Sequence, residues 1–522
     1  MDHSKMVHHM LPDGGMVMVH GGIPGWLFGV GVGLVVLFSF VVVEWRGLPS
    51  VAGWRMNLTG PRWAHRLVRK RWFQPAMQAP IILAFLFTLY AGLFGSGAKN
   101  IAPVLVWTIW WAALIFAVAL LGNAWCFLCP WDGLTNLITR IGGVFKRKES
   151  LSMGLSAPSW MQNLYPALVL FIALTWLELG WGITNDPRAT ATLGVGVLAL
   201  CLTMGLVFEK KVFCQSFCFV GRISGMYSMF SPIEIRTRDE RVCGVCTTRD
   251  CLTGGGEGLP CPVGIDLGKL DTNLDCTLCT ECFKSCPSLA PAVRIRPPNQ
   301  DFHKLENPRA DIAWLALTLL ALTGFHGLSM TPAWQDFGGG KDIVGWIAGL
   351  TGGGQLTSFS LGMVATILLP VGVYALCILG AWLLTSKKVP FGTLFVAYAL
   401  SVVPVALFYH LAHNAMHLFM EGPDIWPLLS DPLGRGWDLF GTADSHPDPL
   451  MSQENTWYVQ VGLICAGHIA GVLSSHRIAK RLFPKRSDAV KSLLPMLAMM
   501  VLLSVCGLWL MHLDMNMRMG RM

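Results

Sequence analysis

Eight of the 16 cysteines lie between positions 243 and 286. The later group reads Cys276-x2-Cys279-x2-Cys282-x3-Cys286-Pro287. Three thiolates at two-residue intervals wrap three corners of an iron–sulfur cube, and a fourth cysteine, held off by proline, reaches a second cluster. The earlier group, Cys243-x2-Cys246-x4-Cys251-x9-Cys261-Pro262, is looser but ends in the same Cys-Pro. The spacing therefore predicts two [4Fe–4S] clusters. One takes Cys243, Cys246, Cys251 and Cys286; the other takes Cys276, Cys279, Cys282 and Cys261. Zinc is the competing reading of C-x2-C pairs. Zinc sites pair their ligands two and two, whereas three-plus-one with proline occurs here twice.

Two further pairs, Cys126-x2-Cys129-Pro130 and Cys214-x3-Cys218, follow apolar runs at matching places. Together they offer four thiolates for a further Fe–S or metal site. Buried thiols packing as small apolar groups are the alternative, and that is the expectation for Cys201, Cys377, Cys465 and Cys506. His410, His413 and His417 recur at spacings of three and four, so they share one helical face. With His468 they could ligate haem iron or copper, or bind a quinol, or serve only as interhelical hydrogen-bonding groups. The tails are rich in His and Met: His3, Met6, His8, His9, Met10, Met16, Met18 and His20 at one end, His512, Met515, Met517, Met519 and Met522 at the other. Imidazole with thioether suits copper, Cu(I) above all.

These groups must be positioned by membrane helices. Of the 522 residues 53% are hydrophobic and 13% charged, too little charge to cover a soluble surface. Apolar runs predict ten spans, at 25–43, 79–96, 102–122, 162–182, 190–208, 311–329, 357–383, 391–418, 456–475 and 491–511. The first is too long for a cleaved signal and is expected to stay as an anchor. Arg46, Arg55, Arg62, Arg66, Arg69, Lys70, Arg71, Arg140, Lys146, Lys148, Lys210, Lys211, Lys387, Lys388 and residues 477–486 then all fall on one side. The positive-inside bias makes that side cytoplasmic and puts both termini in the periplasm. The net charge of +8 is thus read as topology, and no nucleic-acid partner is expected. Five units follow: a His/Met-rich tail (1–24), a membrane module of five helices (25–211), a cytoplasmic insert (212–310), a second five-helix module rich in His (311–512) and a Met-rich tail (513–522). Cytosol keeps the insert's cysteines reduced, as ligands rather than disulfides.

On its cysteine pairs after membrane helices and the following two-cluster segment, roughly residues 80–300, the chain resembles membrane polyferredoxins of the NapH and NosR kind. That family serves periplasmic nitrate and nitrous oxide reductases. Its pairs read C-x3-C-P; here the first is one residue shorter, and Phe219 stands in the second where proline is expected. The segment 430–444, SDPLGRGWDLFGTAD, with the preceding YHLAH run looks like a stretch of other bacterial membrane proteins that has no assigned function. The reading is an all-α polytopic protein of the bacterial inner membrane with a cytoplasmic ferredoxin-like 2[4Fe–4S] insert. It is expected to pass electrons between a quinol or cytoplasmic donor and a periplasmic acceptor, a reductase or a copper protein, as a subunit of an oxidoreductase system. Copper transport or copper-site assembly is the alternative, and a structural anchor for a soluble oxidoreductase a third.

Overall fold

A computed structural model describes residues 7–10, 16–44, 54–97, 99–145, 152–208, 211–302, 304–305, 308–335 and 342–519. His3, Met6 and Met522 of the tails, and Arg46, Lys146, Lys148 and Lys210 of the basic segments, lie outside the described residues. The chain is helical. Among the described residues nine helices are long and apolar enough to cross a membrane. They are α1 (Gly25–Glu44), α2 (Phe73–Phe94), α3 (Ile101–Leu121), α5 (Pro187–Val207), α7 (Ala310–Ser329), α8 (Gln355–Leu384), α9 (Val403–Met416, inside the longer apolar stretch Phe391–Ser430), α10 (Gln453–Leu482) and α11 (Arg486–His512). The tenth expected span is the shorter α4, Tyr165–Gly180, of 16 residues. Its 24 Å or so at 1.5 Å per residue falls short of the hydrocarbon thickness.

Strands β1 (Val7–Met10) and β2 (Met16–His20) form a hairpin, and β2 pairs antiparallel with β6 (Met515–Met519). The first and last described strands therefore meet in one sheet.

Local sequence explains the boundaries. Asp186 caps α5 by accepting from the Arg188 and Ala189 N–H groups, and Pro187 fills the first helical position. Ser452 caps α10 through the Asn455 N–H. Small residues set the helix contacts: a Cβ on Gly467 would meet Phe408, and one on Gly471 would meet Val405, so α9 and α10 lie close together.

The Cys-rich insert hangs on a second sheet, ordered β3 (Met56–Asn57), β5 (Pro291–Ile295), β4 (Ile233–Thr237), all antiparallel. Its β3 comes from the basic segment after α1, so that segment and the insert lie on one side, as the charge pattern implied. The insert starts later than expected. Helix α6 (Phe219–Ser228) is buried along almost its whole length, with Val220, Ile223, Met226 and Tyr227 in the main core beside α3 and α9. Residues 219–229 belong to the bundle because their apolar side chains have helices around them; the polar insert begins at β4. Asn123 Nδ2 donates to the Cys276 carbonyl (3.1 Å), Asn299 Nδ2 to Ala470 (3.1 Å) and Arg477 Nη1 to Asn299 (2.9 Å). These bonds seat the insert on the bundle.

Candidate functional site

Seven of the insert's eight cysteines come within electrostatic range of one another. Cys279, Cys276, Cys261 and Cys251 act on Cys282, and Cys286 and Cys243 act on Cys251. Leu278 and Thr280, in the gaps of the Cys276–Cys282 run, have φ of 53° and 63°. Such left-handed backbone is uncommon for these residue types and is found at sites that demand a shape. Cys261 Sγ accepts from the Ile265 N–H at 3.3 Å, and backbone N–H groups of Leu267, Leu278 and Glu281 reach Cys251, Cys276 and Cys279. N–H donors aimed at sulfur suit thiolates that hold a cluster.

The two other pairs also converge. Cys126, Cys129, Cys214 and Cys218 line one small cavity of about 30 Å³, between the inner ends of α3 and α5 and the insert. Their local geometry repeats. Cys129 separates the helices Ala124–Leu128 and Pro130–Phe145, and Cys218 separates the π-helical turn Phe213–Phe217 from α6. Each sulfur accepts the N–H three residues on, of Asp132 and of Gly221, the latter at 3.3 Å. Phe219 begins a helix just as Pro130 does, so the missing proline costs no geometry.

Burial raises all four thiols, Cys129 and Cys214 well above the ordinary range and Cys218 to about 11. Without a positive centre they stay neutral; metal ions would supply that centre. Burial also opposes charge on Lys211, but its ion pair with Asp132 (2.6 Å) outweighs this and holds the ammonium charged beside the cavity. Among the described residues no three of His, Cys, Asp and Glu stand close enough to share a single ion. Thiols spread around a cube do not need to.

Three residues here, Cys201, Asp132 and Lys211, carried no mark in the spacing, and Cys279 of the insert joins them. Cys201 of α5, expected to pack, lines the cavity and is 3.3 Å from Thr135 Oγ1. Asp132, Lys211 and Cys279 line it too, so the cavity touches the insert's second cluster set directly. From the cavity wall a file of tryptophans runs inward. Trp125 and Trp131 lie 5.1 and 6.2 Å from Trp110, Trp110 lies 5.9 Å from Trp111, and Trp111 lies 5.9 Å from His410. The π-helical stretch Val104–Trp110 of α3 carries Trp110, and such turns gather at functional places.

The membrane histidines form a row. His410 Nδ1 is 3.2 Å from Tyr227 Oη, the His413 and His417 rings are 4.9 Å apart, and His417 Nδ1 is 2.9 Å from Glu421. His468 is not with them. Its two ring nitrogens bond Ser39 (2.8 Å) and Ser504 (3.0 Å), tying α1, α10 and α11 together. The available signal for two members overlooked in sequence, Glu178 and His326, is that each is an ionisable residue inside an apolar run.

No family model matches the chain, and no solved structure does. One curated relative is 27% identical over 198 residues, 34% of this chain: "Putative electron transport protein YccM" of Escherichia coli (strain K12). The chain spans about half, 52%, of that relative's length.

Proposed function

We propose that this protein is a membrane electron carrier with iron–sulfur clusters on two sides of one docking surface, in the manner of the NapH and NosR polyferredoxins it resembles. The carrying observation is the cavity at which four bundle cysteines meet Cys279 of the insert. When bound, the clusters supply one-electron steps. Cys243, Cys246, Cys251 and Cys286 would hold the first, Cys276, Cys279, Cys282 and Cys261 the second, and Cys126, Cys129, Cys214 and Cys218 a third. Lys211 places a cation between the second and third sets, which offsets their negative charge. Trp125, Trp131, Trp110 and Trp111 lead from the third set toward the membrane interior. The electron-transport name of the Escherichia coli relative supports the same role. The basic segments favour an inner-membrane placement with the insert in the cytoplasm and both termini in the periplasm. The donor is then a quinol or a cytoplasmic protein, and the acceptor periplasmic.

The test is reduction of the purified protein with dithionite, followed by low-temperature EPR. Signals of coupled four-iron clusters are expected. Cys279→Ser should remove one cluster and leave the others. Anaerobically prepared protein containing zinc and no iron would overturn the reading.

One observation favours a copper link besides. The terminal register pairs His8 with Met18 and Met18 with Met517, Met10 with Met16 and Met16 with Met519, and His20 with Met515. Strand alternation puts these eight positions on one face of the three-stranded sheet. Met and His are the residue types that suit Cu(I). Copper would be the cargo or the partner's metal of the electron path.

A further inference from the structure

The segment between α1 and α2 does more than lend β3 to the insert. Residues 54–72 carry Arg55, Arg62, Arg66, Arg69, Lys70 and Arg71, three tryptophans and no acidic residue. One side of this arm is docked. The Leu58 N–H donates to the Val293 carbonyl (2.9 Å), the Val293 N–H to Thr59 Oγ1 (3.1 Å) and Arg238 Nη2 to the Thr59 carbonyl (2.7 Å). In the short helix Arg62–Val68, His65 is buried with its ring 5.5 Å from that of Phe283, and Val68 packs with Phe283, Ile235 and Leu267. His65 and Val68 thus face the cysteine insert, and Trp63 and Arg66, three apart, stand on the side away from it. That side is open. Trp63 is 70% exposed, Trp54 and Trp72 are 58% exposed each, and Arg55, Arg62, Arg66, Lys70 and Arg71 are exposed too. Among the described residues Arg71 alone of the six cations has a carboxylate within salt-bridge reach, that of Glu257 at 4.0 Å.

The open face is rooted at the ends of two membrane spans. The Lys70 N–H bonds to the Leu67 carbonyl (3.0 Å) and the Phe73 N–H to the Lys70 carbonyl (3.1 Å), so the short helix turns straight into α2, which begins at Phe73. Both α1 and α2 are long and apolar enough to cross a membrane. A surface held there lies at headgroup depth. Large exposed indoles are unfavourable in water but at home at that boundary, with the ring against acyl chains and the N–H still wet. Cations without carboxylate partners favour an anion, and the guanidinium fork matches a phosphate group. An acidic soluble protein would answer the charge and leave the tryptophans unexplained. We propose that the 54–72 arm binds anionic phospholipids, with Arg62, Arg66 and Lys70 on the headgroup phosphates and Trp54, Trp63 and Trp72 seated among the headgroups. Bound lipid then clamps the arm, and with it β3 and the cysteine insert, to the membrane surface. The inference needs the membrane helices and the packing of the arm, and is independent of which cofactors the cysteines hold.

The experiment is native mass spectrometry of the purified full-length protein in a neutral detergent, titrated with phosphatidylglycerol and, separately, with phosphatidylcholine. The parent should take its first phosphatidylglycerol more tightly than phosphatidylcholine, and the preference should shrink as salt rises. One cation near an anionic surface is worth about fivefold in affinity, so Arg62→Gln, Arg66→Gln and Lys70→Gln together should lose about a hundredfold. Arg188→Gln, Arg241→Gln and Lys269→Gln together, three exposed cations elsewhere, should leave that affinity unchanged. Trp63→Ser should weaken binding and leave its salt dependence as it was. Limited proteolysis of the insert without added lipid shows that each variant is folded. A parent that does not prefer phosphatidylglycerol, or an Arg62, Arg66 and Lys70 variant that binds as the parent does, overturns the proposal. Displacement of the lipid by inorganic phosphate would make the arm a free-phosphate site, and binding of polyglutamate in place of the lipid would make it a protein-docking face; either result overturns it as well.

Discussion

The insert is held to the bundle by a buried charge network, and removing one member should loosen the loop that carries Cys276. Asp301 is fully buried and binds Arg296 through both carboxylate oxygens, the Nη2–Oδ2 bond being 2.7 Å. It also accepts from the Asn273 N–H at 2.8 Å and faces Arg236 (3.7 Å) and Lys304 (3.4 Å). Glu234 is the other anion, 3.0 Å from Arg296 and 3.5 Å from Arg236. Asn273 in turn donates to the Ser228 and Ile233 carbonyls at 3.0 and 2.7 Å, which fixes the loop on α6. Asp301→Asn leaves three cations against one carboxylate. Breaking a buried pair by removing one partner costs about 3–5 kcal/mol, enough to shift local opening of the loop by roughly two to four orders of magnitude, at about 1.4 kcal/mol per factor of ten. Burial alone would raise the Asp301 carboxyl, but the Arg296 hydrogen bonds and the charges of Arg296, Arg236 and Lys304 hold it below the usual range. Its contribution is therefore complete above the unfolded value of about 3.9 and is lost only as pH falls through the lower folded value. At neutral pH the parent should show no pH dependence from this group, and the variant should already be at its full deficit. Hydrogen exchange of the 271–276 loop, with iron retention in urea, measures this. Unchanged exchange and an unchanged urea midpoint in Asp301→Asn would refute the argument.

Gly225→Ala should undock the insert, since a Cβ there collides with the Leu274 carbonyl, whereas Gly196→Ala, open around its Cβ, should be neutral or slightly stabilising; limited proteolysis of the insert reads both. Cu(I) competition on the full chain should lose affinity when residues 515–522 are removed and again when 1–22 are, because the register puts both tails in one sheet; equal affinity after either deletion would count against a shared face. Alkaline phosphatase fused at Met522 should be active and at Gln300 inactive, and the opposite pattern would invert the topology.

What could be read in the sequence was what is local. The Cys276–Cys286 run takes its shape from its own turns, with left-handed backbone at Leu278 and Thr280. Nine apolar runs likewise announce themselves among the described residues, while the tenth, 162–182, forms the shorter helix Tyr165–Gly180. The cavity was only half legible. Its two cysteine pairs stand at repeated helix breaks, but Cys201, Lys211 and Asp132 join them through the packing of α5 against Pro130–Phe145, which no spacing records. The same holds for the histidine row: His410, His413 and His417 share a helical face, while His326 and Glu178 arrive from other helices. His468 shows the converse. A histidine in an apolar helix can be fully occupied by two serines on its neighbours.

We propose that Cys126, Cys129, Cys214 and Cys218, which line the cavity, hold a third redox centre alongside two in the insert. Iron and acid-labile sulfide, counted per chain on anaerobically purified protein with Mössbauer spectra to type the iron, test it directly. The account predicts about twelve irons, all in four-iron clusters, and about eight in Cys218→Ser. A parent and a Cys218→Ser variant that both hold about eight would contradict it.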